Sequence, residues 1–210
     1  MNRRPQFLNV LPFCLILFIG CVGLLLIYAP LWHASHFLKD TLALHVGSSV
    51  FSDAQRLATK YGGQVVQVGD APPTCSSSSC VYKFAFRNEC LHWLGLAPST
   101  AFGGEVRVSN NIVISRELAA GVERRDNYLE AFSKEEPTLT GGAEARLVEY
   151  TKLPRIGIET TPSVRPEVRV VSSEFDLECL VKIRGCTSIA ELLPGLEKLK
   201  QRGYKVESQR

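Results

Sequence analysis

Histidine is scarce in this sequence, with four in 210 residues, and beyond residue 47 His92 stands alone. A Ser-His-Asp hydrolase needs an imidazole oriented by an acid and set against a nucleophile. Structural zinc asks for four ligands, mostly Cys and His. One histidine in the body argues against both. The chain also lacks a Gly-rich phosphate loop, an EF-hand loop, an HExxH pair and any N-x-S/T acceptor. Those absences speak against the nucleotide-binding, calcium-binding and zinc-protease classes built on such motifs. No cofactor is expected. The missing glycosylation acceptor favours a bacterial periplasm over a eukaryotic lumen.

Charge is missing from one interval. Between Arg4 and Lys39 there is no Asp, Glu, Lys or Arg, and the centre reads FCLILFIGCVGLLLIYA. Residues 10–32, taken as a helix at about 1.5 Å per residue, are long enough to cross a hydrocarbon layer of about 30 Å. A cleaved signal peptide and a lipoprotein box ending at Cys21 are the alternatives. The apolar run exceeds the usual h-region of about 7–15 residues, and no small-x-small cleavage site follows it. The reading is an uncleaved signal-anchor, single-pass. Residues 1–9 lie in the cytoplasm because Arg3 and Arg4 outweigh the far flank, where Asp40 answers Lys39. Tyr28 and Trp32 suit the aromatic belt on the outer side. Cys14 and Cys21 read as small apolar packing groups. His33 and His36 read as polar groups near the headgroups, since no third ligand accompanies them.

Beyond Arg3 and Arg4 the chain carries 22 basic and 21 acidic residues, so no nucleic-acid partner is expected. The basic tail, with Lys198, Lys200, Arg202, Lys205 and Arg210 against Glu207, reads as a solvated helix end.

An exported body puts its cysteines where thiols oxidise. Five lie beyond the span: Cys75, Cys80, Cys90, Cys179 and Cys186. Cys75 with Cys80, around four serines, and Cys179 with Cys186, across a bend at Gly185, are the most local pairings, although the sequence alone leaves other connectivities open. The C-x4-C spacing of the first pair also tolerates zinc, but the further ligands are wanting.

In the body, residues 33–47 form a juxtamembrane stretch that can extend the helix, and residues 48–210 form the extracytoplasmic domain. The run SSVFSDAQRLATKYGG predicts a helix capped by Ser49 or Ser52, with Gln55 completing a capping box and Gly62 stopping it. Val50, Ala54, Leu57 and Tyr61 share one stripe, joined by Phe51 and Ala58. From Gln64 onward the period becomes alternating. VYKFAFR places Tyr82, Phe84 and Phe86 on one face. EVRVSNNIVIS predicts a hairpin through Asn110-Asn111 that sets Val108 opposite Val113. RLVEY, RIGIET, EVRVV and FDLECLVKI read as further strands, which makes about seven. On the last of these Phe175, Leu177, Cys179, Val181 and Ile183 share a face, leaving Asp176 and Glu178 on a solvated one. Residues 132–144 read as a flexible loop, within one domain or between two subdomains. TSIAELLPGLEKLKQRG restores the helical period, with Ser188 and Glu191 as a capping box, Leu192, Leu196 and Leu199 as a stripe, a break at Pro194 and a stop at Gly203.

The predicted architecture is α+β: a transmembrane helix, then a curved antiparallel sheet of about seven short strands covered by two amphipathic helices. A β-sandwich is the alternative. The functional expectation is a non-enzymatic binding or assembly module, held in the bilayer through residues 10–32, for a protein or envelope component. Two alternatives stand beside it. One is an anchored thiol enzyme, because Cys90 and His92 would share a face on a strand. The other is a subunit of a membrane complex that interacts through its span.

Overall fold

The computed structural model describes residues 10–66, 75–124, 127–139, 142–151 and 154–209. Arg3 and Arg4 lie outside the described residues. A 33-residue helix, α1 (Val10–Leu42), opens the chain, and it is long and apolar enough to cross a membrane. None of its apolar stretch is buried by the rest of the chain; Phe18 and Leu25, for example, stand exposed.

The helix does not stop where that stretch ends. It continues into the body, where Ala34, Phe37 and Thr41 are wholly buried. The Phe37 ring packs against Phe84, Phe86 and Tyr61 at centroid distances of 4.7, 5.1 and 5.5 Å. Lys60 Nζ and Tyr61 Oη both donate to Asp40 Oδ2 at 2.7 Å, which ties α1 to α2 (Phe51–Tyr61). At the C-terminal end of α1, the Arg116 guanidinium donates to the carbonyls of Thr41 at 2.8 Å and Leu44 at 3.1 Å and to the Glu135 carboxylate. A cation on carbonyls at this end also complements the helix dipole. The juxtamembrane stretch thus continues the helix, as expected, and contributes Ala34, Phe37, Thr41, Leu44 and Val46 to the buried interior.

Among the described residues eight strands form one sheet: β1 (Gln64–Val65), β2 (Ser79–Arg87), β3 (Ser99–Ser109), β4 (Ile112–Glu123), β5 (Tyr128–Glu135), β6 (Ala145–Tyr150), β7 (Arg155–Thr160) and β8 (Val206–Gln209), ordered β1-β2-β3-β4-β5-β7-β6-β8. The sheet is mixed rather than wholly antiparallel, because β5 pairs with β7 and β6 with β8 in parallel. The predicted hairpin is present: Val108 faces Val113, and Asn110 and Asn111 take φ of 51° and 66°. The register slips there, with Arg107 opposite Ser115 while Val108 faces Val113, so Ile114 has no partner across β3. That bulge keeps both Val113 and Arg116 buried on the core side.

Two segments read as strands are helical. EVRVV belongs to α4 (Pro166–Ser172). Pro166 presets the helical φ at its first position, and Val168 and Val171, three apart, bury side by side, which outweighs the β preference of the valines. FDLECLVKI folds around a 3-10 helix (Leu177–Leu180): the Asp176 carboxylate accepts the Glu178 N–H at 3.0 Å, and the Cys179–Cys186 disulfide closes the turn. Phe175, Cys179 and Leu180 bury while Ile183 is exposed, so the predicted shared face is lost. Residues 132–135 finish β5 instead of starting a loop.

The α2 cap also differs from expectation: Val50 is the N-cap residue, and the Asp53 carboxylate accepts its N–H at 3.1 Å. Gly62 ends the helix at φ 67°, as expected. In the C-terminal segment Ser188 caps α5 (Ile189–Leu192), and Pro194 opens α6 (Pro194–Gln201), with Leu192, Leu196 and Leu199 all fully buried. The Glu191 carboxylate takes the backbone N–H and hydroxyl of Thr187 rather than closing a box on Ser188.

Gly195 permits the closest helix contact, because a Cβ there would lie 1.7 Å from the Val171 carbonyl oxygen of α4. Gly195→Ala is expected to destabilise by about 1–3 kcal/mol through overpacking, read as a lowered thermal midpoint of the detergent-solubilised chain. An unchanged midpoint would show that α6 can slide freely.

Candidate functional site

Both expected disulfides are formed, Cys75–Cys80 and Cys179–Cys186, with Cα separations of 4.6 and 5.2 Å. They suit an oxidising extracytoplasmic compartment. The first staples the end of β2 to the segment before it; the second fixes the bend that follows the 3-10 helix. Asp176, Cys179 and Cys186 gather ligand-type atoms within 4.8 Å, yet the two sulfurs are bonded to each other and Lys182 Nζ donates to Asp176 at 2.6 Å. That leaves no thiolate for a metal.

Cys90 and His92 do not fall on a strand. They sit in the short helix α3 (Glu89–Trp93), where residues two apart point in different directions. Cys90 lines a cleft against α1, beside Leu26, Ala29, Pro30 and His33. His92 lines another, with Asn88, Ser99, Glu123 and Arg124. Tyr28 and Trp32 are both exposed on α1.

A further concavity lies on the sheet itself. The helices cover one face of the sheet, where Tyr82, Phe84, Phe102, Val106, Leu118 and Ala120 are buried. Pleating sends alternate residues to the opposite face, where a trough of 390 Å³ crosses β2, β3 and β4. Its floor is made of small residues in register: Ala85 opposite Gly103, Gly103 opposite Ala119, and Ala101 opposite Gly121. At Gly103 the strand pairing itself forbids a side chain, since a Cβ would lie 2.2 Å from the Phe84 carbonyl oxygen. The alanines have no such constraint and hold the floor low.

One wall of the trough is a polar cluster on β4, β5 and β7. Arg155 donates to Glu117 and holds Glu130 at 2.9 Å, and its guanidinium lies 4.2 Å from the centre of the Phe132 ring. Tyr128 Oη donates to Glu130 at 2.7 Å. Burial pushes the Glu117 carboxyl above the ordinary carboxylate range despite Arg155 beside it, and burial, reinforced by the Glu130 bond, raises the Tyr128 phenol. On the same face Arg107 pairs with Glu105 at 2.5 Å. Each acid in the trough is thus taken by an arginine. Lys83 and Arg87, flanking Ala85 on β2, have no ion-pair partner among the described residues, so the uncommitted charge there is positive.

No known protein family, curated protein or solved structure matches the chain. The trough is the feature that bears on function. The sequence reading did not single it out, although a signal was present: Ala85 between Lys83 and Arg87, and Ala119 and Gly121 after Glu117, are small residues on the exposed phase of strands. Tyr128, Glu130 and Arg155 carried no local signal, because only the β5–β7 pairing brings them together.

Proposed function

We propose that this chain is a non-enzymatic binding module, anchored by α1 in a bacterial inner membrane with its body on the periplasmic side, that receives an acidic group of a protein or envelope component in the sheet trough. One observation carries the reading. The uncovered face has a low floor of alanine and glycine, with Lys83 and Arg87 outside any ion pair above it while the trough's own acids, Glu105, Glu117 and Glu130, are each held by an arginine. A carboxylate or phosphate on a partner would complete the charge pairing at β2. The two disulfides and the apolar stretch of α1 support the address.

The test uses the full chain in its membrane, with a photoreactive side chain in place of Ala85 or Ala119. The expected result is one discrete adduct that disappears when Lys83 and Arg87 are both changed to Glu. The same adduct formed from Val170, exposed on α4, or an adduct that persists in the charge-reversed variant, would refute the proposal.

A further inference from the structure

The turn after α3 carries an apolar cluster that the body does not cover. Trp93 is 84% exposed, Leu94 50% and Leu96 47%, while Leu91 between them and the core is buried. Single exposed apolar residues are ordinary. Three in four positions with a tryptophan at the most exposed of them are not, and the position in the fold indicates what covers them.

The helix that bears Trp93 packs against α1 at the top of its apolar stretch: Leu26, Ala29, Pro30 and His33 face Phe86, Glu89 and Cys90 across one cleft. Tyr28 and Trp32 belong to those same two turns of α1, counted at about 3.6 residues per turn. The chain has two tryptophans, and they lie on the two helices that meet at this cleft. A second loop reaches the same place. Gly185 lies against Pro98, where a Cβ would meet the ring at 2.6 Å, and the neighbouring Ile183 is 63% exposed beside the exposed Arg184. Tryptophan with leucine and isoleucine, edged by a cation, is the composition that settles at the headgroup boundary.

We infer that residues 93–96, together with Ile183, dip into the bilayer interface next to α1 and form a second contact between body and membrane. The inference rests on α1 being the membrane anchor. The contact would fix the body's tilt, because one helix alone leaves it free to lean whereas a helix and a loop define a plane.

Two single-tryptophan forms of the full chain test this, reconstituted in phosphatidylcholine vesicles with or without bromine on the acyl chains. Trp32→Phe leaves Trp93 as the reporter and Trp93→Phe leaves Trp32. Both are expected to lose at least about half of their emission to the brominated lipid and to resist aqueous acrylamide, as interfacial tryptophans do. Quenching of Trp32 but not of Trp93 overturns the loop contact while leaving the anchor standing. Quenching of neither removes the anchor and the inference together. A Trp93 shielded from both quenchers is covered by protein, which also refutes the lipid contact.

Discussion

Phe37→Ala is expected to destabilise the body by about 3–5 kcal/mol, the usual cost of truncating a fully buried phenylalanine. Phe37 has no exposed surface and stands among Tyr61, Phe84, Phe86 and Phe102. It also rests on the backbone of Gly104, where a Cβ would lie 3.2 Å from its ring. Truncation leaves a void between helix and sheet that rigid strands cannot close. Thermal unfolding in detergent, followed by near-ultraviolet circular dichroism, reads the loss. Phe37→Leu should recover part of it. A loss below about 1 kcal/mol for the alanine variant would mean that the end of α1 is not seated as described.

Arg116→Met is expected to cost about 3–5 kcal/mol, because it strands the buried Glu135 carboxylate and removes the side-chain donor from the carbonyls of Thr41 and Leu44 around the end of α1. The Arg116 and Glu135 side chains are only 6% and 5% exposed. Burial pulls the guanidinium pKa below its ordinary value, yet arginine stays charged at any physiological pH. Arg169, 3.7 Å from the other Glu135 oxygen, is too far to replace the lost bonds. The double variant Arg116→Met with Glu135→Leu separates the causes: with no unpaired charge left, it should be more stable than Arg116→Met alone. A double variant no more stable than the single one would locate the cost in the helix carbonyls instead.

The parts of the fold legible beforehand were those whose signal is local. Asn110-Asn111, the Tyr82-Phe84-Phe86 alternation, the stop at Gly62 and the break at Pro194 each act within a few residues, and each is present. The misread segments are those where a proline, a disulfide or a packing partner from later in the chain overrode residue preference. Val168 and Val171 favour strands in isolation, but Pro166 and the packing of α4 on α6 make them helical. Leu177 to Leu180 turn because Cys179 must reach Cys186. The parallel pairings were hidden for the same reason: β8 joins β6 only after α4, α5 and α6 have crossed over. The trough was illegible as a unit, because its floor comes from β2, β3 and β4 and its wall from β5 and β7.

The unbroken run of α1 from its apolar stretch to Leu42 sets a height as well as a hold. From Trp32 to Leu42 the helix climbs about 15 Å. With its lower part in lipid, as proposed, the body would be a signpost on a stiff mast rather than a float on a tether: it would turn with the mast but neither sink nor wander. A partner of the proposed kind would meet the trough only by presenting its acidic group at that elevation above the headgroups, which would filter for objects themselves held at the membrane surface and against those diffusing far from it.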